Sequence, residues 1–168
     1  LKIENRFATE MPVMPVVSLP AVRPVITSAW DQPQIREQKA VRGGKFITEF
    51  SYSGPTGAVH VESNAQDGKK ILTDRDEDFS ALPDVLKGAD YVQAAAADAR
   101  YNAVDLMEIA VKAGSTVFVA HDDRLGLPDW LARQFKPADV SLTVNGHAMK
   151  VFHHTVSSDE SLTLGTNT

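Results

Sequence analysis

The residues best equipped for chemistry lie in one short run, His121-Asp122-Asp123-Arg124. Carboxylates beside a guanidinium form charge-assisted hydrogen bonds, either to the hydroxyls of a sugar or to one another as a structural ion pair. Trp130 follows soon after. An indole has a flat apolar face and a polar edge, which suits it to stacking on a sugar ring. With Leu131 and Phe135 as neighbours, Trp130 suits equally well as a flap over the core, where most tryptophans lie. Adding Tyr101 gives the candidate ligand-binding set Trp130, Arg124, Asp123, His121 and Tyr101.

Metal ligation has weaker support. Asp74, Asp76 and Asp78 alternate along one charged run and are the calcium candidates. The run lacks the glycine and terminal glutamate of a helix–loop–helix calcium site. His153 and His154 are adjacent, so on a strand they point to opposite faces and cannot easily share an ion. No H-E-x-x-H or comparable zinc spacing occurs. There is likewise no G-x-S-x-G nucleophile turn, no cysteine and no glycine-rich phosphate loop. Carboxylates are plentiful but have no defined separation, so no glycosidase dyad can be assigned. The expected catalytic set is empty.

The elements that position these residues come from a chain of 168 residues, enough for one domain with a core of its own. Its 43% apolar and 23% charged content is that of a globular protein. A net charge of -5 with scattered lysines and arginines argues against a nucleic-acid partner. No apolar run approaches the roughly 20 residues that span a bilayer. The absence of cysteine excludes disulfides and thiolate metal sites.

In chain order, residues 1–22 read as an extended arm, because Pro12, Pro15 and Pro20 each remove a backbone donor, with Pro24 just beyond. Its apolar valines and leucine predict that it lies along a surface or a neighbouring chain. Pro24 to Trp30 suits an edge strand. Lys45 to Tyr52 alternates, with Phe46, Thr48, Phe50 and Tyr52 on the inward face. The turn cluster Ser53 to Gly57 then predicts a hairpin with Ala58 to Glu62. Asn64 to Asp84, rich in charge, reads as a solvated loop. Val117 to Ala120 is apolar on both faces and reads as a fully buried strand. Asn145-Gly146 between Val140 to Val144 and Ala148 to Val156 is a strong hairpin signal, since both residues accept positive φ. Ser161 to Leu164 is a last strand. By propensity alone, Asp84 to Lys112 with its alanine run would be helical.

Four stretches taken together carry a family resemblance: Leu86 to Val92 (LKGADYV), Val117 to Arg124 (VFVAHDDR), Leu127 to Leu131 (LPDWL) and Leu162 to Asn167 (LTLGTN). Their order and spacing resemble a jelly-roll accessory domain of the galactose-binding-like kind, attached to bacterial polysaccharide-degrading enzymes. The match runs over about residues 70–168. It departs at Ala94 to Arg100, where such domains carry a polar run, and at His121, where they carry an aromatic. The resemblance implies strands at Ala89 to Ala94 and Ala103 to Val111, which overrides the helix propensity there.

The expected fold is therefore all-β, an antiparallel β-sandwich (jelly roll) over residues 23–168 with the extended N-terminal arm before it. The expected function is a non-catalytic carbohydrate-binding or accessory module, secreted or periplasmic, that meets a polysaccharide or oligosaccharide. It would act beside a catalytic domain or another copy of itself, with calcium as the one cofactor the residues allow. A structural module docking through its arm is the alternative; a glycan-active enzyme using a carboxylate or histidine site is the third.

Overall fold

The computed structural model of the protein describes residues 39–40, 44–101 and 106–166. The arm at 1–22 and the strand expected at Pro24 to Trp30 lie outside the described residues. The described strands are β1 (Lys39–Ala40), β2 (Ile47–Tyr52), β3 (His60–Glu62), β4 (Tyr91–Gln93), β5 (Met107–Val111), β6 (Thr116–Asp122), β7 (Lys136–Val144), β8 (His147–Thr155) and β9 (Glu160–Leu164). One short helix, α1 (Asp129–Gln134), precedes β7. All strand pairs are antiparallel, in a sheet of order β1-β2-β5-β9, a ladder β3-β4 and a sheet of order β6-β8-β7. This is an all-β antiparallel sandwich.

Register explains the core. Phe50 lies opposite Ile109, and Ile109 opposite Leu162, so three apolar side chains cross β2, β5 and β9 on one face. That face packs with Val117, Val119 and Phe152 of the other sheet and with Leu131 and Phe135 around α1. Leu131 and Val156 are fully buried, and burial of such a side chain stabilises by about 1.5–3 kcal/mol. The opposite face of β6-β8-β7 is covered too. Ala65, Phe79 and Leu82 pack there against Leu142 and Val151, with Phe79 set edge-on to Tyr91 at 5.2 Å. A sheet covered on both sides buries adjacent residues, and Val151 and Phe152 are both inside.

Several expectations are corrected. β2 does not form a hairpin with β3. It pairs with β1 and β5, while β3 pairs with β4, so the turn after Tyr52 carries the chain to a different ladder. On β2, Phe50 and Tyr52 face the core as expected, but Ile47 joins them and Thr48 is exposed, because a register shift between Ile47 and Glu49 breaks the alternation, and Phe46 lies before the strand. The 64–84 segment is irregular but not solvated throughout, since Ala65, Phe79 and Leu82 are buried. Among the described strands β6 lies at a sheet edge, and Val117, Phe118 and Val119 are only half-buried and Ala120 is exposed.

Strand, not helix, prevails at Tyr91–Gln93 and Met107–Val111; the first is shorter than the resemblance implied, and residues 103–105 of the second expected strand lie outside the described residues. The alanine run between them makes only a 3-10 turn, Ala96–Arg100. The hairpin β7–β8 turns at Asn145 (φ 50°) and Gly146 (φ 75°), both in the left-handed region that such a turn requires.

Candidate functional site

β6 ends by delivering Asp122 to a tight corner. The Leu125 N–H donates to the Asp122 carbonyl at 3.0 Å, closing the turn. The Asp122 carboxylate accepts the Arg124 N–H at 3.0 Å and the guanidinium Nε–H at 2.9 Å, while Nη2 donates to its other oxygen. The Arg124 side chain is thus locked to its own strand end. These bonds hold the Asp122 carboxyl well below the usual carboxylate range and raise Arg124 above its own.

The remaining arm of the fork, Nη1, approaches His147 Nε2 at 3.4 Å, bringing the start of β8 to the corner. Asp123, Leu125 and Leu127 are exposed beside it. The corner therefore offers a fixed cation, an uncommitted carboxylate and apolar surface. Such a set can hold sugar hydroxyls through charge-assisted bonds while a ring face lies on leucine.

The other sequence candidates divide. Trp130 belongs to the core side, where its indole N–H donates to the Thr166 carbonyl at 2.8 Å and its ring meets Phe135 edge-on at 6.1 Å. His121 is buried, with neither ring nitrogen bonded to a partner. Tyr101 follows the 3-10 turn of the β4–β5 connection, and its N–H donates to the Asp98 carbonyl at 2.9 Å. Arg124 and Asp123 alone of the set meet at the corner, joined by His147 from the start of β8.

The calcium candidates are separately engaged. Asp74 accepts the N–H groups of Ala96 and Ala97 at 2.8 and 2.9 Å, which keeps its carboxyl below the ordinary range. Asp76 pairs with Lys70, and Asp78 forms a backbone bridge with the same lysine. Among the described residues, no three His, Asp or Glu side chains gather to hold a metal ion.

Two carboxylates that sequence reasoning passed over organise the loops. Asp90 accepts the N–H groups of Phe46 and Ile47 at 2.6 and 2.9 Å and the Ser63 hydroxyl at 3.0 Å, joining the starts of β2 and β4 to the end of β3. Asp98, buried, accepts the hydroxyls of Tyr52 and Thr56 on one oxygen. Its single signal was an acid inside the alanine run.

No family model matches the chain. Over 123 residues it is 31% identical to a β-glucuronidase of Formosa agariphila, a match that takes in 73% of this chain and 12% of that protein. Among solved structures it is similar to a β-glucuronidase from glycoside hydrolase family 2, with a TM-score of 0.67 and 31% identity over 71% of this chain and 12% of that one. The chain thus spans about an eighth of the length of the relatives it matches, and what it is similar to is a small all-β part of a glycoside hydrolase.

Proposed function

We propose that this chain is a non-catalytic accessory module of a secreted or periplasmic glycoside hydrolase and that it contacts glycan through the Asp123–Arg124–His147 corner. The observation that carries this is the proportion of the match: most of this chain aligns with a small fraction of a carbohydrate-active enzyme. Nothing in the motifs supplies a catalytic centre, and the carboxylates of Asp74, Asp90 and Asp98 serve as caps and clasps for loops. Since the relatives are β-glucuronidases, glucuronide-bearing polysaccharides are the first ligands to try, with neutral polysaccharides beside them.

Affinity electrophoresis of the full chain through gels containing each polysaccharide tests the reading. Retardation by at least one glycan is expected. Asp123→Ala, which leaves the Asp122–Arg124 pair intact, is expected to abolish it without changing the melting temperature. Absence of retardation on every glycan would overturn the binding role. Retardation insensitive to Asp123→Ala and Arg124→Ala would remove the site from this corner.

A further inference from the structure

The edges of the sheets are not equally protected. Strand edges expose unpaired N–H and C=O groups, and proteins guard them with short strands, prolines, bulges or charges. β1 has two residues. β7 carries Lys136, Pro137 and Asp139 and a register shift between Pro137 and Ser141. β9 is short, at five residues, and alternates polar Ser161 and Thr163 outward.

β6 has none of these guards. It runs for seven residues, Thr116–Asp122, with no proline, no bulge and no charge before its last residue. Among the described residues it pairs with β8 alone, and its outward backbone groups from Thr116 to His121 find no partner among them.

We propose that this edge is a self-association surface, on which β6 pairs antiparallel with β6 of a second copy about a two-fold axis through Val119. The strand's own sequence selects that occupant over an unrelated peptide. A two-fold at Val119 sets Phe118 opposite Ala120, Val117 opposite His121 and Thr116 opposite Asp122. The large ring thus falls against the exposed small residue, and no like charges face each other, as directly opposed side chains require. A closed two-fold contact uses one patch twice, so each copy's Phe118–Ala120 step receives the other's. The two sheets would become one continuous sheet across both copies, with the unguarded edge removed from solvent. This inference is independent of the glycan reading.

A single strand pair is smaller than a standard protein interface, so a weak dimer is expected, with Kd of roughly 10 μM to 1 mM. Sedimentation velocity of the full chain across that range should show a concentration-dependent dimer. Ala120→Lys places a charge where the partner's ring must sit and should weaken dimerisation at least 10-fold while leaving the melting temperature unchanged. Thr163→Lys on β9 should have no effect. Because the chain has no cysteine, Val119→Cys should give a disulfide-linked dimer in air, whereas Thr163→Cys should not. A chain that stays monomeric throughout overturns the proposal, as does a dimer that tolerates Ala120→Lys. A dimer that Ala120→Lys disrupts but Val119→Cys does not cross-link overturns the two-fold register.

Discussion

The Tyr52 hydroxyl donates to the buried Asp98 carboxylate, joining residues 46 apart in the chain. The same oxygen accepts the Thr56 hydroxyl at 2.7 Å, so the turn after β2 and the turn after β4 close on one acid. Gly54 makes room for this: a Cβ there would lie 2.0 Å from the Tyr52 oxygen and 2.2 Å from its ring. Gly54→Ala must therefore displace the tyrosine. Tyr52→Phe is expected to cost about 1.5–3 kcal/mol, as the loss of a hydrogen bond to a charged group does. Both variants are checked by urea denaturation, and equal stability for Tyr52→Phe would show the bond to contribute nothing.

Alkaline behaviour follows from the same pair. Burial, then the hydrogen bond and charge of Asp98, push the Tyr52 phenol well above its ordinary value. A raised phenol contributes stability that is complete below the unfolded pKa, about 10. It is lost as pH rises from there through the folded value, because the unfolded chain releases its proton first. Melting temperature should fall above that point in the wild type, and Tyr52→Phe should flatten the fall.

Acid stability rests on Asp90. Burial raises its carboxyl, but hydrogen bonds from the Phe46, Ile47 and Lys45 backbone and from Ser63 outweigh it, and the net shift is downward. A depressed carboxyl contributes stability present above the unfolded pKa, near 4, and lost as pH falls through the folded value. Asp90→Asn should remove that acid sensitivity and cost about 2–3 kcal/mol at neutral pH, since it weakens charge-assisted bonds. A chemical-denaturation series from pH 7 to 2 reads both effects.

His121 offers a gain instead of a loss. Its buried ring nitrogens bond to nothing, and an unpaired buried polar group costs about 1–3 kcal/mol. His121→Phe, of similar shape, should raise stability by a comparable amount, and an unchanged or lower melting temperature would show that the imidazole has a partner.

Trp130→Ala should cost about 3–5 kcal/mol, as truncation of large packed aromatics does. Its indole packs on the core and is tied to Thr166. A negligible change, with glycan retention lost, would move Trp130 into the binding surface.

What the sequence disclosed depended on how local the information was. The β7–β8 hairpin was legible because Asn145-Gly146 specifies its own turn. Strand character at Lys45 to Tyr52 was legible as well, but alternation names no partner, and β2 pairs with β5 some sixty residues on. Propensity alone would have made the alanine run and its neighbours helical, and it was the family resemblance that pointed to strand there. Met107 to Val111 is held as strand by neighbours on both sides, β2 and β9, a tertiary preference no local window contains. The buried residues of the 64–84 segment were hidden by the charges around Phe79 and Leu82. At the corner, the Asp122–Arg124 pair was foreseen as one alternative, whereas the approach of His147 to it, like the Tyr52–Asp98 bond elsewhere, depends on distant segments meeting.

The sheet order also sets a timetable. β6, β7 and β8 lie close together in sequence, and β7–β8 needs only a two-residue turn, so that sheet can assemble from local encounters within microseconds to milliseconds of collapse. Beyond the local β1–β2 step, the order β1-β2-β5-β9 has no such shortcut. β2 must wait for β5, and β5 for β9, across long stretches of chain whose closure entropy is lost before any contact compensates it. During synthesis, at roughly 5–20 residues per second, β2 spends seconds outside the ribosome before its partner emerges. The hairpin sheet is therefore expected to nucleate folding, with φ-values concentrated in β7 and β8, while the four-stranded sheet closes last and governs the observed rate.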